Sequence, residues 1–398
     1  MVHDYRQNSE PYPASGAWFP GDPVGARRFF SFAKDRPFSL EGGGSLRDVV
    51  IAYETWGELN SDASNAVLVC HAWTGDSHVS SAGEQALLSP GWWDGMVGPG
   101  LAIDTNEYFV VCSNVLGGCQ GSTGPASLHP DDGRPYGLRF PVVTIRDMVR
   151  AQAHLADHLG VRRWHSVVGG SMGGMQALEW AIIMPERVGS LAAIATCAES
   201  TAQQIAWTSI GRRMLLSDPA FNDGDYYDAG PDGGPWLGLS MARMVAQVTF
   251  RTDTRFSSKF GRKVNEDKGI VDTSDLFSMF SVEKYLDHHG DKLVRRFDAN
   301  SYLYIGKAMD LHDVGRGRGG VERALARITA PTLTLSIDSD ILYPPYQQES
   351  IQARLVNGDP RNIHAEVVSV EGHDGFLIEV AAVGNHVRRF LDSLGQGV

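Results

Sequence analysis

Three residues far apart in the chain have the types and setting to make an activated serine. Ser171 lies in Gly169-Gly170-Ser171-Met172-Gly173, a G-x-S-x-G sequence whose positions two before and two after the serine lack side chains. Such a turn lifts the hydroxyl clear of its surroundings. His373 lies in Gly372-His373-Asp374-Gly375, and Asp340 in Asp338-Ser339-Asp340. A histidine can take the serine proton and later return it, while a buried carboxylate holds the ring in the useful tautomer and stabilises its protonated form. The order serine, aspartate, histidine assigns Ser171 as nucleophile, Asp340 as acid and His373 as base. Asp338 is the rival acid, nearer its strand and equally able to cap a turn. The Met172 amide, opening a helix, points where an oxyanion would form, and the Trp73 amide in the turn at residues 71–75 is the candidate second donor. By itself G-x-S-x-G also describes a glycine-rich turn with an incidental serine, so the elements around it must decide.

The β-branched run ending at Gly170 meets the motif and passes into helix-forming residues 176–183, which stop before Pro185. Continuous apolar runs at residues 66–70 and 108–112 predict strands buried on both faces, residues 190–194 another buried strand, and the apolar-rich stretches 332–337 and 365–370 two more strands of the core. Asp340 and His373 each follow the last residues of such a run. A helix is predicted from Thr144, whose Thr-x-x-Asp spacing to Asp147 resembles a capping box, and Ile145, Met148, Val149, Leu155 and Leu159 keep helical spacing until Gly160. Strands alternating with helices predict a mainly parallel, doubly wound sheet, and the serine turn makes it an α/β-hydrolase fold.

Residues 1 to about 30, with Pro11, Pro13, Pro20 and Pro23, predict an irregular surface arm. Residues 38–40 and 49–53, separated by Gly42-Gly43-Gly44, predict an antiparallel hairpin. From residue 199 the alternation stops: helices are predicted at 203–216, 239–248 and 282–286, a loop at 222–235, and a closing helix at about 376–394. The expected organisation is an α/β-hydrolase core at 1–198 and 319–398 with a helical lid inserted at 199–318.

The chain is long enough at 398 residues for an ample core, and 42% hydrophobic with 21% charged residues is ordinary for a globular protein. A formal charge of -12 argues against a nucleic-acid partner. Cys70, Cys112, Cys119 and Cys197 lack metal or disulfide-framework spacing and are expected to be reduced thiols. The first fifteen residues are polar, and no run approaches the ~18 apolar residues of a membrane helix. A cytoplasmic location with no membrane partner is expected. His71, Asp76 and His78 fit no standard metal spacing, and a serine mechanism needs none, so no metal is expected. Asp287-His288-His289 reads as a solvated helix end. Gly315-Arg316-Gly317-Arg318-Gly319-Gly320 looks like an RNA-binding segment, but in an acidic protein it reads as a structural turn or an anion contact.

Further blocks accompany the serine turn: His-Ala-Trp-Thr-Gly-Asp-Ser-His at 71–78, Gly-Gly-Cys-Gln-Gly-Ser-Thr-Gly-Pro at 117–125, His-Asp-Val-Gly-Arg-Gly-Arg-Gly-Gly at 312–320, Ser-Asp-x-Leu-Tyr-Pro at 339–344 and Gly-His-Asp-Gly-Phe-Leu at 372–377. Together, over about residues 50 to 380, they make the chain closely resemble the homoserine O-acetyltransferase family. The resemblance implies transfer of an acetyl group from acetyl-CoA, a co-substrate rather than a bound cofactor, to the hydroxyl of L-homoserine. It further implies an early step of methionine biosynthesis and a cytoplasmic homodimer formed partly by lid helices. The family's substrate arginine falls in the motif matched by Ala242-Arg243 and Thr249-Phe250-Arg251, giving Arg243, and its substrate aspartate becomes Asp374. An amino-acid acceptor has a carboxylate for a guanidinium and an ammonium for a carboxylate, so both positions make chemical sense. Two positions depart from the family pattern: Trp73 replaces a common leucine and Phe250 a usual tyrosine. Some relatives use succinyl-CoA or accept serine, and the same triad serves water in an esterase or deacetylase, so those readings stand as alternatives.

Overall fold

The structure, a computed structural model, describes residues 10–82, 90–264 and 273–395. Its centre is an eight-stranded sheet: β1 (Arg28–Phe32), β2 (Val49–Trp56), β3 (Ala66–Cys70), β4 (Phe109–Ser113), β5 (Ser166–Gly170), β6 (Leu191–Ile194), β7 (Thr332–Ile337) and β8 (Ile363–Val367). The spatial order is β1-β2-β4-β3-β5-β6-β7-β8. β3 to β8 run parallel, while β2 is antiparallel to both β1 and β4.

Strands β3 to β7 are buried along their whole length, the small polar Ser and Thr of β5 and β7 included. Alternate residues face opposite layers. Leu68, Val111 and Val167 pack in one apolar layer with helices α1 (Ile145–His158) and α2 (Met172–Ile183), through Met148, Leu155, Met175 and Leu178. Val67, Val69, Val110 and Val168 pack in the other with Val383, Val387 and Phe390 of the closing helix. In α1 the Thr144 hydroxyl caps the Asp147 amide, and the Asp147 carboxylate accepts from the Thr144 amide at 3.0 Å.

Between β6 and β7 lie α3 (Ala202–Ser217), α4 (Trp236–Phe250), α5 (Asp253–Lys259), α6 (Ser281–Val294), α7 (Ala299–Asp310) and the short α8 (Val321–Leu325). α4 packs against both α3 and α6, and α3 also touches α7. After β7 come α9 (Pro345–Ala353), α10 (Gly375–Ile378) and α11 (Val380–Leu394).

Several expectations need correction. Residues 38–39 pair with Ser45–Leu46 rather than with residues 49–53, whose partner is β1. β1 falls at the end of the proline-containing stretch predicted to be irregular; of that arm, residues 1–9 lie outside the described residues. Its described part is also not merely superficial, since Tyr12 is buried with its ring 5.1 Å from that of Trp236. Asp287-His288-His289 is not a helix end. It sits inside α6, where Leu293 and Val294 continue the buried face and Asp287 is itself buried.

Candidate active site

The turn between β5 and α2 is closed by backbone contact. A Cβ on Gly169 would lie 2.2 Å from the Gly173 carbonyl oxygen, and one on Gly173 would lie 2.1 Å from that of Cys70. Ser171, between them, has φ 58 and ψ -125, a conformation that strains any residue with a side chain by about 1–3 kcal/mol. Hydrogen bonds hold it there. Its amide donates to the Ile194 carbonyl at 2.9 Å, and its carbonyl accepts from the Gly174 amide at 2.9 Å and the Thr196 hydroxyl at 2.8 Å.

The loops after β7 and β8 bring Asp340 and His373 to this serine. His373 Nε2 is 2.9 Å from Ser171 Oγ, and His373 Nδ1 is 2.7 Å from Asp340 Oδ2. All three residues are buried. Asp340 Oδ1 accepts from the amides of Leu342 at 2.8 Å and Tyr343 at 2.9 Å, so both carboxylate oxygens are occupied and the acid stays aimed at the ring. The rings of Tyr343, Phe376 and Phe250, with centroids 5.0, 5.3 and 5.8 Å from that of His373, surround the imidazole. Asp338 is turned elsewhere: it is exposed and accepts from the Ser369 amide at 2.8 Å.

The turn after β3 is held from both sides. Buried His71 donates from Nδ1 to the Ala72 carbonyl at 2.7 Å and accepts the Val115 amide on Nε2 at 3.0 Å. Burial lowers its pKa, which suits this neutral form. Arg296, which the sequence reading missed, donates from Nη1 to the Thr74 carbonyl at 2.8 Å. Among the described residues neither the Trp73 nor the Met172 amide has a protein acceptor. The Trp73 indole stacks on Tyr302, with centroids 4.3 Å apart, and forms part of the wall.

A cavity of about 180 Å³ opens over Ser171 and His373, with Trp73, Arg243, Arg296 and Asp374 in its lining. Arg243, on α4, makes no salt bridge among the described residues. Its guanidinium lies 5.3 Å from the Phe250 ring centroid, and burial lowers its pKa against the opposing pull of Asp374. Asp374 is paired instead with Arg251, whose Nη2 is 3.1 Å from Oδ2. Arg251 stood in the quoted Thr249-Phe250-Arg251 motif; what spacing could not indicate was which of its neighbours it would reach.

The other polar clusters do not line this cavity. His78 Nδ1 lies 2.9 Å from buried Glu54, and Asp76 accepts the His78 amide. Among the described residues no group of three or more His, Cys, Asp or Glu side chains could hold a metal ion. The arginines of residues 315–320 meet protein carboxylates: Arg318 reaches Glu179 at 2.7 Å and Arg316 reaches Glu41 at 2.9 Å, while Arg146 bridges the same two acids. Among the described residues no helix is long and apolar enough to cross a membrane.

A strained serine between β5 and α2, with base and acid on the loops after β8 and β7, defines an α/β-hydrolase-fold enzyme, and residues 65–379 match the family model described as alpha/beta hydrolase fold. The chain is 50% identical to the homoserine O-acetyltransferase of Thermobifida fusca over 98% of its own length and all of that protein. The crystal structure of the homoserine O-acetyltransferase from Bacillus anthracis superposes with a TM-score of 0.83 at 28% identity, covering 92% of this chain and 97% of that one. That of esterase E22 gives 0.81 at 30% identity, over 92% and 99%. The chain therefore belongs to the homoserine O-acetyltransferase family and is an acyltransferase of amino-acid biosynthesis.

Proposed function

We propose that the enzyme moves an acetyl group from acetyl-CoA to the hydroxyl of L-homoserine by a ping-pong mechanism, as a cytoplasmic homodimer serving methionine biosynthesis, with residues 199–318 as its lid. The observation that carries this reading is the unbroken Asp340–His373–Ser171 hydrogen-bond chain in a cavity that also holds Arg243 and Asp374.

His373 Nε2 takes the Ser171 Oγ proton as Oγ attacks the thioester carbonyl carbon. The resulting oxyanion is stabilised by the Met172 and Trp73 amides. Collapse breaks the carbon–sulfur bond, and the imidazolium proton goes to the departing thiolate, leaving CoA and an acetyl-serine. Homoserine then enters, its carboxylate against Arg243 and its ammonium against Asp374. His373 removes the hydroxyl proton as that oxygen attacks the ester, and returns it to Ser171 Oγ as the serine leaves. No metal or bound cofactor takes part in these steps.

Incubation with acetyl-CoA alone tests the scheme: the intact mass should rise by one acetyl group, the adduct should disappear on adding homoserine, and Ser171→Ala should never form it. No adduct, together with intersecting initial-rate plots, would exclude the ping-pong route. Rates with acetyl-CoA and succinyl-CoA, each paired with homoserine and serine, fix donor and acceptor. A hydrolytic reading has one specific observation in its favour, the likeness to esterase E22. It prevails if homoserine fails to outcompete water for the acyl group.

A further inference from the structure

The residues just beyond α4 are stapled to the loop that carries the base. The Thr252 hydroxyl donates to the Val370 carbonyl at 2.6 Å. The Phe250 carbonyl sits so close to Gly372, which has φ +68, that a Cβ there would approach its oxygen to 2.8 Å. Between these contacts Arg251 joins two carboxylates: Nη1 is hydrogen-bonded to Glu371, and Nη2 pairs with Asp374 Oδ2 at 3.1 Å. Among the described residues Arg255 pairs with Glu371 alone, at 3.1 Å. Arg251, Glu371 and Asp374 are largely shielded from solvent, with side chains 13%, 8% and 16% exposed. Among the described residues Asp374 Oδ1 accepts no hydrogen bond, and Asp374 lines the cavity that contains Ser171.

A carboxylate held by one oxygen presents the other in a fixed direction. The same guanidinium ties that carboxylate to Glu371, so the acceptor's anchor is held from a second point of its own loop, while His373 takes its orientation from Asp340.

We propose that Arg251 is the positioning residue for the acceptor: it orients Asp374 so that the free oxygen receives the substrate's ammonium, and thereby directs the acyl-enzyme towards an amino-acid hydroxyl and away from water. This rests on the acyl-transfer reading above and assigns Arg251 no part in forming the acyl-enzyme.

The two half-reactions separate this role from a structural one. In Arg251→Met the CoA burst with acetyl-CoA alone should keep nearly its parental rate. The KM for homoserine should rise, the transfer-to-hydrolysis ratio should fall about tenfold or more, and Arg251→Lys should recover part of that ratio. Arg255→Met, which among the described residues removes a Glu371 contact and none to Asp374, should lower Tm and leave the ratio at the parental value. The proposal is overturned if Arg251→Met slows acylation and transfer in equal proportion, or if Arg255→Met shifts the ratio as much. Should Arg251→Met not fold, an Arg251→Lys ratio equal to the parent's overturns it as well. Failure of the unmodified enzyme to form any acyl-enzyme would instead remove the transfer reading itself.

Discussion

Asp340 Oδ2 lies 2.7 Å from His373 Nδ1, a hydrogen-bond geometry that selects between two acids only two positions apart. Asp340→Asn should therefore lower kcat about a thousandfold or more, because an amide at that point favours the wrong imidazole tautomer. Asp338→Asn, which disturbs an exposed turn, should stay near the parental rate. Steady-state rates at saturating substrates check the pair, and equal losses would contradict the assignment.

Trp73 tests whether the wall and the oxyanion donor are separable. Trp73→Leu keeps the backbone amide but removes an indole stacked on Tyr302. Acylation by acetyl-CoA should survive, and the kcat/KM of propionyl-CoA and butyryl-CoA relative to acetyl-CoA should rise as the wall recedes. An aromatic pair of this kind is worth about 1 kcal/mol, so a small loss of stability should accompany the change.

Glu179 is nearly fully buried and meets two arginines, Arg146 at 2.9 Å and Arg318 at 2.7 Å. Removing it leaves both guanidiniums without that partner. Glu179→Ala should cost about 3–5 kcal/mol, read from the urea midpoint. The kcat of whatever remains folded should be little altered, since none of the three residues lines the catalytic cavity.

His312 makes stability depend on pH. Burial lowers its pKa to about 4, and its Nε2–H donates to the Cys197 carbonyl at 3.1 Å. The unfolded value is ~6.5. A depressed folded pKa contributes stability that is complete above pH 6.5 and is lost as pH falls through 4, by up to about 3 kcal/mol. His312→Gln has no proton to gain, so its Tm should fall less between pH 7 and pH 4.5 than that of the parent. Parallel curves would assign the acid sensitivity to other groups.

Much of the sheet was legible because buried parallel strands are written as apolar-rich stretches, unbroken in Ala66–Cys70 and alternating with Thr and Ser in Thr332–Ile337. Residues 66–70 and 332–337 became β3 and β7 with the predicted bounds. β1 was not legible, because an edge strand such as Arg-Phe-Phe-Ser-Phe shows no such run and its partner lies in the next segment. α7 was overlooked for a related reason: Tyr302, Leu303, Tyr304 and Ile305 look strand-like. Its actual start signal was the Asp298 carboxylate capping the Ser301 amide. At the site, motifs gave Ser171, Asp340 and His373 their order, since each occupies a loop fixed by the strand before it. The pairing of Asp374 with Arg251 depends on how α4 ends over the base's loop, and no local pattern encodes that approach.

The left-handed backbone of Ser171 makes heat resistance and turnover compete at a single position. Glycine adopts φ near +58 without penalty, so Ser171→Gly should melt above Ser171→Ala and above the active enzyme itself, despite losing the hydroxyl. A screen for thermal tolerance alone would then favour a protein that can no longer carry an acyl group, and any engineering of this enzyme for durability must select on catalysis at the same time.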